Sequence, residues 1–222
     1  MVVRLRMMVC VSAILWVLGC WAVSMAEGGG SVDTFVNPVG DITQIGDPFV
    51  MKHGEDYYLY ATSLPARGFY VWHSSDMITW DLKAKALDCL WEGNWWGGQD
   101  FWAPEVIYYN DRFYMTYSAR DGDNHLKIAL AASDDPLGPF INVKAPYFDR
   151  GMSFIDAHIF VDDDGAVYMF YVQDCSENII EGKHVSQVYV QEMSDDLLEL
   201  KGRPVLAAEP SQPWELKSGD WL

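Results

Sequence analysis

The chain has 222 residues, half of them hydrophobic, which is enough to bury a core in one domain or two small ones. Its formal net charge of −17 argues against a nucleic-acid-binding protein, because an acidic surface repels phosphate backbones. The abundance of aromatic residues suits a core of short strands, or a cleft in which sugar rings stack.

The N-terminus has the pattern of a targeting segment. Arg4 and Arg6 precede a long apolar run, and residues 24–26 have the small-x-small pattern of a cleavage site. We therefore expect residues 1–26 to be a signal peptide and the protein to be secreted or held at the cell surface. A competing interpretation is a lipoprotein signal that ends before Cys20, whose lipid would then be the only membrane contact. A retained span is disfavoured because the run is shorter than the roughly 20 residues that a span needs.

A glycine-rich linker and an irregular lead-in over residues 27–45 precede a repeated pattern. The repeat begins at Gly46, where two short strands are predicted around a polar Lys-His-Gly-Glu-Asp turn. Weaker copies follow, and the equivalent positions Asp47, Ala103 and Asp156 are 56 and 53 residues apart. Residues 46–222 therefore contain three copies of one structural unit.

Each copy continues with a third strand that a Ser-Asp pair closes, since these short side chains bond nearby amides in turns. A period of about 50 residues with three or four strands per unit is typical of the blades of a β-propeller. We predict an all-β fold in which about three blades of a larger propeller are present. A β-sandwich or two stacked barrels is the alternative architecture.

Two of the three equivalent positions, Asp47 and Asp156, carry carboxylates. They begin the innermost strands of the first and third units, so they should face each other across the centre of a propeller. Such a pair suits glycoside hydrolysis, in which one carboxylate activates water and a second group protonates the leaving oxygen.

Four segments together resemble glycoside hydrolase family 43, and the resemblance covers about residues 36–222. The segments are Asp47-Pro48-Phe49, Phe101-Trp102-Ala103-Pro104-Glu105, Ile155-Asp156-Ala157-His158 and Asp162-Asp163-Asp164-Gly165. The resemblance implies a five-bladed propeller and an inverting enzyme that acts on plant carbohydrate. Members of that family are largely α-L-arabinofuranosidases, β-xylosidases and endo-arabinanases. It also implies that Asp47 is the general base and that Asp156 raises the pKa of the general acid and orients it.

The general acid that the resemblance implies is a Glu in a Glu-Gly-Pro motif opening a fourth blade, and no such motif occurs here. We therefore expect that Glu beyond residue 222 and interpret the chain as the N-terminal part of a longer domain. Glu181 and Glu215 are weaker candidates for the acid. Two other functions stay open: a non-catalytic carbohydrate-binding propeller or inactive fragment, and a retaining fructan-type hydrolase.

Further candidates for substrate contact lie beside the two aspartates. Glu105 and His158 each lie two residues after an equivalent position, so both share a strand face with it and are expected to meet near the centre. A sugar-positioning role and a structural hydrogen bond are equally compatible with this pattern. Phe101 and Trp102 are predicted to bind substrate, whereas Trp91, Trp95 and Trp96 suit packing as well as binding.

No metal or cofactor is expected. The acidic run over residues 162–165 lacks the full spacing of a calcium-binding loop and is predicted to be a plain hairpin turn. Cys89 and Cys175 are too few for a disulfide framework, although pairing and free thiols both stay open.

Overall fold

Short runs of aromatic and β-branched residues, separated by Gly, Asn and Asp, form antiparallel sheets throughout the part of the chain that the structure describes. The computed structural model describes residues 42–215, which contain fourteen strands, one 3-10 turn at Pro213–Glu215 and no α-helix. The predicted signal segment, Cys20 and most of the lead-in lie outside these residues. No helix within the described range is long and apolar enough to cross a membrane.

Sheet 1 and sheet 2 have the same topology, with four strands in chain order. Sheet 1 contains β1 Gly46–His53, β2 Asp56–Thr62, β3 Gly68–Ser74 and β4 Asp81–Asp88. Sheet 2 contains β5 Gln99–Tyr109, β6 Arg112–Arg120, β7 Leu126–Ser133 and β8 Ile141–Lys144.

Sheet 3 repeats this arrangement with one insertion. Its strands are β9 Phe154–Val161, β10 Val167–Gln173, β13 Gln187–Met193 and β14 Leu200–Ala208. Between its second and third strands, β11 Ile179–Ile180 and β12 Lys183–His184 form a small separate hairpin.

The three-fold repeat and the all-β class are confirmed within the described residues. The Ser-Asp turns recur as predicted, since the hydroxyl oxygens of Ser74 and Ser133 accept hydrogen bonds from the amides of Asp76 and Asp135, both at 3.1 Å. The outer strands were harder to predict because they are exposed and lack clear alternation. One of them, β14, even contains Pro204, which edge strands tolerate.

Two cores join the sheets. The first lies between sheets 1 and 2 and is rich in aromatic rings, including Tyr60, Phe69, Phe101 and Tyr117. The second lies between sheets 2 and 3. β7 is buried along its whole length and serves both cores, with alanines on the sheet 1 side and larger residues such as Leu130 on the other.

The first strand of each sheet lies at the inner edge of the assembly. β5 contacts both β1 and β9, so these three strands lie side by side. Hydrogen bonds between sheets occur where these strands begin, and this arrangement places the candidate site.

Candidate active site

The three equivalent positions share an unusual backbone. Asp47, Ala103 and Asp156 have φ angles of 48°, 44° and 55°, a region that side-chain-bearing residues seldom occupy. At each position the pairing with the second strand shifts register. We call these three residues the inner-strand starts. Each residue lies at a bulge-type irregularity of its strand. Such bulges redirect the side chain and are common near functional sites.

Asp47 is oriented by a neighbour on the adjacent strand of its own sheet. The Thr62 hydroxyl donates to Asp47 Oδ2 at 2.7 Å, and its oxygen accepts a hydrogen bond from the Ala103 amide at 2.8 Å. Thr62 therefore connects the carboxylate of sheet 1 to Ala103 in β5, the inner strand of sheet 2. The Asp47 side chain itself remains exposed to solvent.

The same connection recurs one sheet further on. The Asp156 amide donates to the Ser118 hydroxyl oxygen at 3.1 Å. Ser118 lies as many residues after Ala103 as Thr62 lies after Asp47, so the two hydroxyls occupy equivalent positions. Sequence reasoning missed both residues, although this fixed offset within the repeat is a signal that could have found them.

Asp156 is in an environment that disfavours its charge. The residue keeps solvent contact, yet many protein atoms surround its carboxyl group, and this loss of hydration raises its pKa most strongly. The negative charges of Asp47, Glu105 and Asp174 raise it further, so that the pKa of Asp156 reaches about 6. Asp47 and Asp156 are thus close enough to repel each other, as the repeat predicts, and Asp174 is a further contributor that sequence reasoning missed.

Glu105 and His158 meet as predicted. His158 Nδ1 lies 2.5 Å from Glu105 Oε2, and this hydrogen bond raises the pKa of the imidazole. Both residues line a recess of about 130 Å³ between β5 and β9, with Phe49 and Thr116 on its wall. The contact is therefore established, whereas a role of either residue in sugar binding stays a prediction.

The two aromatic residues predicted to bind substrate, Phe101 and Trp102, differ in burial. The Phe101 ring is fully buried, stacks on Tyr117 with centroids 5.8 Å apart and contacts the edge of Phe69. The structure thus gives Phe101 a packing role in place of the predicted sugar contact, because no part of its side chain reaches solvent. Trp102 is only half-buried and adjoins Ala103, so its predicted role as a substrate contact stays open.

The remaining candidates occupy different positions. Residues 162–165 form the predicted hairpin turn between β9 and β10, where the Gly165 amide donates to the Asp162 carbonyl at 2.9 Å. Glu181 lies in the small separate hairpin, between β11 and β12. Cys89 and Cys175 are free thiols. Within residues 42–215, no cluster of His, Cys, Asp and Glu is arranged to hold a metal ion.

Comparison with known proteins identifies the family of the chain. The family model described as "Glycosyl hydrolases family 43" matches residues 35–222. A crystal structure of a thermostable family-43 glycoside hydrolase is 67% identical with a TM-score of 0.82, over 85% of this chain and 60% of that protein.

Two curated relatives are similar over shorter stretches. Xylosidase/arabinosidase 43A of Humicola insolens is 37% identical over 34% of this chain and 23% of its own length. A xylosidase/arabinosidase of Bacteroides ovatus is 28% identical over 57% of this chain and 34% of its own length. The matches thus span about a quarter to a third of the length of these relatives. Because the family model covers most of the sequence, the chain belongs to glycosyl hydrolase family 43.

Proposed function

We propose that the protein is an inverting glycoside hydrolase acting on arabinose- or xylose-containing plant polysaccharides or oligosaccharides. Its three sheets would then be consecutive blades of a five-bladed propeller. The observation that carries the proposal is the pair Asp47 and Asp156, which begin non-adjacent inner strands and interact electrostatically. Family membership and the names of the relatives, xylosidase/arabinosidase, support the substrate class.

In this mechanism Asp47 is the general base. Its carboxylate is exposed and held by the Thr62 hydroxyl, so it can accept a proton from a water molecule that attacks the anomeric carbon. Inversion follows because water attacks the face of the sugar opposite to the leaving oxygen.

Asp156 has a different role in the proposal. Its raised pKa of about 6 leaves a minor fraction of Asp156 protonated near neutral pH, and a carboxyl group that keeps its proton can donate a hydrogen bond that orients and tunes a neighbouring acid. The resemblance implies that this acid is a Glu-Gly-Pro glutamate. The 222 residues contain no such motif, so we assign roles to Asp47 and Asp156 alone.

Sugar contact is proposed for Trp102, Glu105 and His158. The half-buried indole of Trp102 adjoins Ala103, and the Glu105–His158 pair presents charged atoms in the recess between β5 and β9. We also propose, from the N-terminal pattern alone, that the protein is secreted or held at the cell surface.

The central experiment replaces Asp47 by Asn in the natural full-length protein. We expect hydrolysis of aryl arabinofuranosides and xylosides to fall by about 10²–10⁴-fold, the usual contribution of general base catalysis, without loss of folding. Asp163→Asn, in the exposed turn between β9 and β10, is the matched control and should leave turnover unchanged.

The outcomes of this experiment separate the alternatives. Undiminished turnover in Asp47→Asn would remove the proposed base. Retention of configuration in the product, followed by NMR, would favour the fructan-type mechanism, in which the first-sheet aspartate is a nucleophile. Sugar binding without turnover in the unsubstituted protein would favour the carbohydrate-binding alternative.

A further inference from the structure

A second concave site lies apart from the two carboxylates, at the start of β5. A pocket of about 460 Å³ lies between the loop that precedes β5 and the turn between β6 and β7. Trp95 forms part of its lining, and this side chain is 80% exposed. This exposed indole offers a flat apolar face at the edge of a concave surface, so the pocket is a candidate for binding.

The polar groups of this pocket are of two kinds. The Arg120 guanidinium already has partners within the protein, because its Nε donates to Asp100 Oδ2 at 2.7 Å and its Nη1 donates to the Asn124 carbonyl. By contrast, the side-chain amides of Gln99 and Asn124 make no hydrogen bond to any other residue in the range 42–215. Two carboxamides that can each donate and accept hydrogen bonds to a ligand therefore lie beside one exposed indole.

Glycines keep the pocket open. Gly98 and Gly122 both line it, and a Cβ added at either position would have no heavy atom within 4 Å. Side chains at these positions would occupy the space that a ligand needs. The pocket is thus a wide, shallow site with an aromatic wall and amide hydrogen-bonding groups.

The position of the pocket relates it to the proposed catalytic carboxylates. Gln99 begins the strand that contains Ala103. The Ala103 amide donates a hydrogen bond to the Thr62 hydroxyl, which in turn donates one to Asp47. Gln99 and Ala103 are four residues apart, and a strand segment of that length extends at most about 13 Å. This is the span of a short run of linked pentoses, so one oligosaccharide chain can reach both places.

The chemistry of the pocket favours a neutral sugar over an anion. Arg120 is already neutralised by Asp100, and the Asp121 carboxylate adds negative charge to the lining. A phosphate or a nucleic acid would be repelled here, in a chain whose net charge is −17. A pyranose or furanose ring can place its C–H face on the indole and its hydroxyls on the two amides.

We propose that Trp95, Gln99 and Asn124 form a distal subsite that binds a pentose unit remote from the bond being cleaved. The subsite gives the protein a preference for oligosaccharides or polymers over single glycosides. This proposal builds on the glycosidase function proposed above, but its key measurement is binding, which does not require turnover.

The test measures the binding of xylotetraose and arabinotetraose to the natural full-length protein by calorimetry. Trp95→Ala should weaken binding of the preferred tetrasaccharide about 10-fold, and Trp95→Phe should restore part of it, since a smaller ring still stacks. Gln99→Ala should weaken binding a few-fold. Trp214→Ala is the matched control, because this indole is 79% exposed and does not line the pocket.

Kinetics then distinguish a distal subsite from a structural role. With an aryl monoglycoside, kcat/KM should be the same in Trp95→Ala and in the unsubstituted protein, because such a substrate does not reach the pocket. Unchanged tetrasaccharide binding in Trp95→Ala, or an equal loss of aryl glycoside turnover, would overturn the subsite. Trp95-dependent binding without any hydrolysis would instead reject the glycosidase function and leave the subsite standing.

Discussion

The core between sheets 1 and 2 and the inner-strand starts lie a few residues apart, yet they are built on opposite principles. In the core, Phe69, Phe101 and Tyr117 are fully buried and pack ring against ring. At the inner-strand starts, Asp47, Ala103 and Asp156 have strained backbones, and two of them carry mutually repelling charges. The first region lowers the free energy of the folded state, and the second raises it.

This difference indicates where the function lies. Residues that oppose stability persist only where the surrounding structure imposes them, and such places are often functional sites. Here the surrounding structure is the pair of inter-sheet hydrogen bonds that the hydroxyl oxygens of Thr62 and Ser118 accept, together with the aromatic core behind them. The comparison predicts that substitutions in the two regions change stability in opposite directions.

The largest expected effect on stability comes from Phe101→Ala. Removing a fully buried ring leaves a cavity between sheets 1 and 2, and we expect the free energy of unfolding to fall by about 3–5 kcal/mol. Urea denaturation measures this loss. Trp214→Ala removes a highly exposed indole and should change stability by less than about 0.5 kcal/mol. A similar, small change in both variants would place Phe101 outside the core.

An intermediate effect is expected for Thr62→Val, which keeps the shape of the side chain and removes its hydroxyl. The Ala103 amide and Asp47 both lose a hydrogen-bond partner, so stability should fall by about 1–2 kcal/mol. Because Asp47 is no longer oriented, kcat should fall while KM stays near its original value.

Thr62→Ser is the matched control for this positioning role. It retains the hydroxyl and should restore kcat. If the serine variant were as slow as the valine variant, the loss would come from packing and not from the hydrogen bond to Asp47.

The smallest effect, and one of opposite sign, is expected for Asp156→Asn. The folded protein binds the Asp156 proton more tightly than the unfolded chain does, because its pKa is raised from 3.8 to about 6. The cost of ionising this residue is therefore absent below pH 3.8, grows as the pH rises and is complete above pH 6. After allowance for solvent contact, we expect the variant to be about 1 kcal/mol more stable at pH 8.

The pH dependence is the decisive measurement for Asp156. Thermal unfolding at pH 3.5 should show no gain for Asp156→Asn, whereas unfolding at pH 8 should show it, although turnover is lost. A gain of the same size at both pH values would mean that the charge of Asp156 is not the source of its instability.

Much of this arrangement follows from the sequence alone. The 56- and 53-residue spacings predict three similar units, and the turn residues within each unit predict the first three strands of each sheet. The same spacing makes Asp47 and Asp156 equivalent. Glu105 and His158 each lie two residues after an inner-strand start, and this shared offset places them in contact. These features are periodic, and the period of a strand fixes which side chains share a face.

Other features depend on tertiary contacts that no local pattern encodes. Phe101 and Trp102 are adjacent aromatic residues, and only the packing of sheet 1 on sheet 2 buries the former and leaves the latter partly open. The pKa of Asp156 depends on Asp47, Glu105 and Asp174, which come from three separate parts of the chain. The sequence by itself thus determined the repeat and the residues at its inner edge. Only the tertiary structure decided their burial, partners and charge state, because these depend on distances between sheets.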